Sequence, residues 1–322
     1  MLRIGGIAVA EGPDLRKLVR IGGSYYVSLP SRWVREHGLD KARVVRVRPR
    51  RGVLEVYPEL PGRKIETAKL RADEYVARRI LSAYLDGAEV MELEPGPGFS
   101  IEDLEKILRL LVGAEIVEES EERVVVQCFL KEDYDIGSLV ARMDRISRSM
   151  YVDAIKALCA GSAELARSVV ARDDKVDKLL FLIVRLIRST LKVAPTSKSL
   201  LRLLDYRLLV RSLERIGDHG EAIARLLLER AAGTARALLS EELHEAALEI
   251  SEGQKEITES FLREDLERAV RAEKKVLRVA EKLEGFRESL LDKHSVEALV
   301  AVDRLLRIAE ELADISSLVP GW

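Results

Sequence analysis

The sequence predicts a mainly α protein: a small N-terminal β domain, an α/β connector, then two tandem three-helix bundles. Three observations predict it. From residue 135 onward the apolar residues keep helical spacing, with breaks near Gly161, Pro195, Gly233-Thr234, Gly285 and Lys293-His294, or about three helices per repeat. That helical part also reads twice. Leu165, Ala166, Val169, Val170, Asp173 and Asp177 are answered a hundred positions later by Asp265, Leu266, Ala269, Val270, Glu273 and Leu277. The phrase 213–219 returns as 306–311 without its leading carboxylate. Finally, charge is unevenly spread: residues 1–62 carry 12 Lys/Arg against 6 Asp/Glu, residues 63–134 carry 10 against 17, and the rest is nearly balanced.

The head, residues 1–62, is predicted to be β-rich. Residues 15–21 and 25–29 are short apolar, β-branched and aromatic runs parted by the turn Gly22-Gly23-Ser24. Pro30 suits a first helical turn with Ser28 or Ser31 as cap, and residues 32–37 then form a short helix stopped by Gly38. Residues 42–49 and 53–57 read as two more strands around Arg51-Gly52, and residues 1–10 as a ragged terminus. So small a unit buries little core alone, and oligomerisation is a usual remedy.

Residues 22–34, from Gly22-Gly23-Ser24-Tyr25-Tyr26 through Pro30-Ser31-Arg32-Trp33-Val34, with Gly38-Leu39 after them, resemble the AbrB/SpoVT family of swapped-hairpin DNA-binding domains. The resemblance covers about residues 14–59 and implies an interlaced dimer whose basic strand surface meets DNA. Arg16, Lys17, Arg20, Arg46 and Arg48 are the candidate DNA contacts, with Arg32 and Arg50 in reserve. The other reading of these residues is a solvated face on a domain that only dimerises.

The connector, residues 63–134, is predicted to hold helices at 75–87 and 101–112, the second capped by Ser100 with Glu102 and Asp103 in its first turn. Strands are expected at 90–93, 116–117 and 124–129. No chemistry is visible in it. The helical remainder divides at residue 233 into a first bundle, 135–233, and a second, 234–322.

Several functions find no support. Cys128 and Cys159 lie far apart and form no CxxC pair, against a disulfide scaffold or thiolate zinc site and in keeping with the cytoplasm. No apolar run reaches the ~20 residues of a spanning helix; the best, 179–187, carries Arg185. Ser31, Ser147 and Ser316 lack a His/Asp context, and Pro95-Gly96-Pro97-Gly98 lacks the Lys-Ser/Thr of a phosphate-binding loop. No catalytic residue is assigned.

The chemistry rests on carboxylates. Asp173 and Asp177, and Glu214 and Asp218, stand at i, i+4 on one face of two helices. Like charges at that spacing destabilise a bare helix, so a cation or basic partner is expected. The rows continue through Leu180, Val184 and Ile187, and through Leu203 and Val210, so the carboxylates edge a buried face. Oxygen donors suit a hard divalent metal or iron. Such pairs are also common as surface pairs answered by Lys or Arg. In the second repeat only Glu273 and Glu310 hold equivalent places, with Glu311 adjacent, which makes any site there vestigial. His219 points about 100° away from Asp218 and reads as a packing histidine.

Residues 169–177 and 213–219 closely resemble the PhoU family of phosphate-uptake regulators, over roughly 135–320. The family's E/D-xxx-D motif is present on both helices of the first repeat, and the order of head, connector and paired bundles resembles archaeal members. The resemblance implies a non-enzymatic regulator of phosphate homeostasis, with a phosphate transporter's ATPase or a signalling protein as partner. Two other classes stand beside it: a metal-independent DNA-binding transcriptional regulator, and a metal-dependent phosphoester hydrolase.

Overall fold

The computed structural model describes residues 15–42, 44–50, 53–58, 65–130, 134–192, 197–229, 241–291 and 296–321. The chain forms two compact units, Met1–Lys64 and Ile65–Trp322. The expectation for residues 1–10, and the breaks at Pro195, Gly233-Thr234 and Lys293-His294, lie outside the described residues.

In the first unit β1 (Val19–Ile21) pairs antiparallel with β2 (Ser24–Tyr26), and helices α1 (Ser31–Glu36) and α2 (Leu39–Ala42) follow. Next, β3 (Val45–Arg50) pairs antiparallel with β4 (Val53–Pro58). The first strand is shorter than the sequence suggested, and α2 was not expected. No serine side chain caps α1: Pro30 takes the N-cap place without a side-chain hydrogen bond. The hairpins remain two separate two-stranded sheets. Leu18, Val19, Ile21, Tyr25 and Tyr26 are all exposed.

The second unit opens with a four-stranded sheet. Along the chain come β5 (Thr67–Ala72), α3 (Val76–Leu85), β6 (Val90–Pro95), α4 (Ile101–Leu108), β7 (Ala114–Glu119) and β8 (Val124–Cys128). The order is β5-β6-β8-β7, with β5 parallel to β6 across the α3 crossover and the other pairs antiparallel. Sequence patterning misses β5 because Thr-Ala-Lys-Leu-Arg-Ala has few β-branched residues; its place comes from pairing with β6. Ile80, Tyr84, Met91, Leu93, Leu104 and Val126 are buried in the core between sheet and helices. Ser100 caps α4 as expected, accepting from Asp103 N at 3.3 Å.

Six long helices follow: α5 (Ile136–Ala160), α6 (Ala163–Leu191), α7 (Ser197–Glu229), α8 (Glu241–Arg263), α9 (Leu266–Leu291) and α10 (Val296–Ser317). Asp135 caps α5 by accepting from Ser138 N at 2.7 Å, and Ser162 caps α6. Gly161 ends α5 in the left-handed region at φ +66°, as its sequence position suggested. Gly285 does not break the chain. It lies inside α9 on the exposed side, where a glycine costs about 1 kcal/mol and the burial of Leu283 and Leu290 outweighs it. The break falls instead at Glu264, a non-glycine at φ +59°, after which Asp265 caps α9 by accepting from Arg268 N at 3.0 Å.

Both repeats share one apolar core. Helix α7 lies so close to α5 that a Cβ on Gly220 would come within 2.8 Å of Tyr151 N. A buried polar network crosses from α5 to α8: Asp144, 4% exposed, accepts from Arg148, from Gln254 at 3.1 Å and from Thr258 at 2.9 Å.

The sheet is fastened to α6 by basic side chains. Arg185 is 6% exposed and donates to the carbonyls of Tyr84 (2.5 Å), Ala88 (3.0 Å) and Gly87 (3.1 Å), with its guanidinium 4.7 Å from the Tyr84 ring centroid. These carbonyls sit at the C-terminus of α3, where unsatisfied oxygens and the helix dipole favour a cation. Arg188 pairs with Asp86 and Lys192 with Glu66 on the surface. Replacing Arg185 by Met should cost about 1.5–3 kcal/mol in urea unfolding, because buried carbonyls lose a charged donor. Arg188→Ala should cost less than about 1 kcal/mol, as exposed ion pairs do; equal costs would mean the fastening is not through Arg185.

Candidate metal centre on the first helical repeat

Helices α6 and α7 meet in an antiparallel seam. A Cβ on Gly217 would touch Val176 at 3.4 Å, and around that contact the charge acting most on Asp177 is Asp218 and the one acting most on Asp173 is Glu221. The structure therefore sets the four carboxylates expected from sequence, Asp173, Asp177, Glu214 and Asp218, along one seam where they repel one another, and adds Glu221. That addition was legible: 214, 218 and 221 continue the i, i+4, i+7 row.

Burial and mutual repulsion work in the same direction. Burial first, then Glu221 and Asp177, push the Asp173 carboxyl up to about 7. Burial and then Asp218 push Asp177 up to about 6. Glu214, 9% exposed, is pushed up to about 7 by burial and Asp218, against the pull of Arg211. Asp218 is raised as well, chiefly by desolvation, although its residue surface stays exposed. Glu214 Oε1 accepts from Arg211 at 2.7 Å, while its Oε2 is buried without a hydrogen-bond partner. Arg211 answers the Glu214 end of the row, Arg225 pairs with Glu221 at 2.6 Å at the other, and the field of Arg215 reaches Glu214 and Asp218.

Among the described residues no three His, Cys, Asp or Glu side chains stand close enough, as placed, to hold a metal ion. In donor chemistry, and in the orphaned Glu214 Oε2, the row suits a hard cation.

The second repeat is not gathered in this way. Glu273 on α9 accepts from the Ser316 hydroxyl at 2.8 Å. Glu310 on α10 is exposed and pairs with Arg307. The inward carboxylate of that helix is Glu311, which accepts from Arg215 of α7 at 3.0 Å and leaves Oε2 buried without a partner. His219 stands beside it on α7, 3.4 Å from Arg304 of α10, and burial pushes its pKa down. It packs between helices, off the carboxylate row.

Of the basic head residues, Arg16, Lys17 and Arg20 are exposed, and Arg20 donates to Gly22 O at 3.3 Å. Arg46 and Arg48 hold backbone places in β3 opposite Tyr57 and Glu55; their side chains lie outside the described residues. Among the described residues no helix is long and apolar enough to cross a membrane.

The raised carboxylates fix a pH dependence. Because their folded values lie above the unfolded 3.8 and 4.5, the folded state keeps protons that the unfolded chain has released. Their contribution is present in full below about pH 4 and is lost as pH rises through about 6–7. Metal-stripped protein should therefore melt at a lower temperature at about pH 8 than at about pH 5. Asp173→Asn should flatten that slope and raise the pH 8 melting temperature, by about 2–4 °C per kcal/mol of repulsion removed. A slope unchanged by the substitution would place the titration elsewhere.

Comparison with known proteins bears on the same helices. No curated protein matches the chain. Among solved structures, the phosphate transport system regulatory protein PhoU from Streptococcus pneumoniae is 17% identical with a TM-score of 0.49, covering 57% of this chain and 91% of its own. PhoU from Pseudomonas aeruginosa is 21% identical with a TM-score of 0.48, covering 57% and 93%. Residues 140–227, which take in most of α5, all of α6 and most of α7 together with the four seam carboxylates, match the family described as the PhoU domain.

Proposed function

We propose that the protein is a non-enzymatic regulator of phosphate homeostasis that holds a metal ion in the α6/α7 seam and contacts DNA through its head. The observation that carries this reading is the match of residues 140–227 to the PhoU domain over helices whose carboxylates face one another with one oxygen orphaned. The match to the PhoU domain supports a phosphate transporter's ATPase or a signalling protein as partner. The order of elements resembles archaeal PhoU-family members, and the cysteine usage fits the cytoplasm.

Asp173, Asp177, Glu214 and Asp218 would hold a hard divalent cation or iron, which would supply positive charge along a row that Arg211 and Arg225 answer only at its two ends. The protein's part is to keep α6 and α7 in register, so that neutralising the seam tightens one helix pair and the surface around it. Protein purified without added metal should contain metal by elemental analysis. Asp177→Asn together with Asp218→Asn should remove most of it, and Glu273→Gln little. Equal loss from both changes would sink the assignment of one dominant site.

The head is read as an AbrB/SpoVT-like dimerisation and DNA-binding unit. Two isolated hairpins are marginal alone, and the exposed apolar residues of β1 and β2 are what a second copy would cover. A chain beginning at Ile65 should show a lower mass by light scattering than the full chain. Full-length protein should bind duplex DNA with log K falling by roughly 0.9 per log salt for each phosphate neutralised. Unchanged mass would assign assembly to the bundles, and absent DNA binding at low salt would leave the head a dimerisation unit only.

A further inference from the structure

The outer face of α7 ahead of the carboxylates is apolar. Leu200, Leu201, Leu204 and Leu208 keep 39%, 57%, 47% and 55% of their surface in solvent, whereas Leu203, Leu209 and Val210 on the opposite side are buried. The four exposed leucines fall at i, i+1, i+4 and i+8, so they form one stripe about 12 Å long. Single exposed leucines are ordinary, but a contiguous stripe of them marks a contact surface.

The stripe runs directly into a cluster of arginines. Arg207, just before Leu208, and Arg211 stand at i, i+4 beside its C-terminal end on the same helix. Three helical turns from the Val176–Gly217 contact, the antiparallel register sets Arg188 of α6 across from Arg207. Arg188 is answered by Asp86 and Arg211 by Glu214. Arg207 makes no hydrogen bond or ion pair among the described residues. Its surface is exposed overall, yet partial desolvation, then Arg211 and Arg188, push its guanidinium pKa down. A cation with no hydrogen bond or ion pair among the described residues, and only the field of Glu214 in its favour, thus sits beside the end of an exposed apolar stripe.

We propose that this face of α7 docks an amphipathic, acidic helix of a partner protein. Its apolar residues at three- and four-residue spacing would cover Leu200, Leu201, Leu204 and Leu208, and its Asp or Glu side chains would reach Arg207. A single helix matches the stripe, which is as narrow as one helix face. The partner's acidity follows from the arginines. A second copy of the chain meeting this face across a two-fold axis would bring the same arginine cluster with it, adding like charge. The surface lies outside the carboxylate row and outside the head, so it stands independently of metal and DNA binding.

The test uses the full chain and a phage-displayed library of helical peptides. Enriched peptides are expected to combine Leu, Ile or Phe at three- and four-residue spacing with flanking Asp and Glu. A labelled copy of the best peptide should bind at least about tenfold more weakly to the Leu204→Ser/Leu208→Ser double variant, and likewise to Arg207→Glu. Replacing the peptide's acids by Lys should restore binding to Arg207→Glu and abolish it for the parent chain. Far-ultraviolet circular dichroism of both variants should match the parent, since all three side chains are exposed. Failure of any peptide to enrich, enrichment of basic or unpatterned peptides, or equal binding to the variants would overturn the proposal. So would a fall in assembly mass on Leu204→Ser/Leu208→Ser, which would assign the stripe to a second copy.

Discussion

The antiparallel register of α6 on α7 decides what the carboxylate row and the arginine cluster of the first repeat face. Gly217 lets the two helices close on Val176, and from that contact each further turn of α6 meets one turn of α7 running the other way. Towards one end the turns meet acid to acid, Asp177 to Asp218 and Asp173 to Glu221. Towards the other they meet base to base, Arg188 near Arg207. The seam is therefore bipolar along its length, and neither end is neutral by itself. The register is held against this like-charge repulsion by apolar packing of Val176, Ile183, Leu213 and Ile216, all buried.

Buried polar groups then decide which neighbours the seam has. Arg185 lies on the same helix as the acidic row, yet it turns into the carbonyl end of α3 and ties the sheet to α6. Asp144 does the equivalent work between repeats, since Gln254 and Thr258 of α8 reach its carboxylate across α5. Burial raises the Asp144 pKa and Arg148 opposes that shift, so the ion pair is sheltered but not isolated. Apolar surfaces alone would tolerate several helix orders; a buried acid with three donors in fixed places tolerates one.

What was legible in the sequence follows from what is local. Six helices from residue 135 on, the Gly161 stop, the Ser100 cap and the facing carboxylates all depend on spacing along one element. The misses depend on tertiary contacts. Strand β5 exists because β6 pairs with it, and Glu264 bends the chain without glycine because helix ends on both sides are capped. Gly285 stays helical because its neighbours are buried. Arg185 was visible only as an interruption of an apolar run. Its partners lie about a hundred residues away and cannot be read from periodicity. The leucine stripe of α7 was hidden for the same reason: helical spacing shows that a face is apolar, and packing decides whether it is covered.

The two repeats have diverged in the direction these constraints allow. Where the first repeat has Glu214, the second has Leu306, which is buried in the shared core at no electrostatic cost. Glu273 is retained but answered by a hydroxyl from Ser316, and Glu310 by its own helix neighbour Arg307. The remaining inward carboxylate, Glu311, faces the first repeat and accepts from Arg215, one residue past Glu214. A carboxylate that in the first repeat belongs to a seam of its own is, in the second, turned across the α7/α10 contact. There it positions the helix that carries the carboxylate row. The second repeat thus meets, through Arg215 and His219, the same helix that carries Glu214 and Asp218.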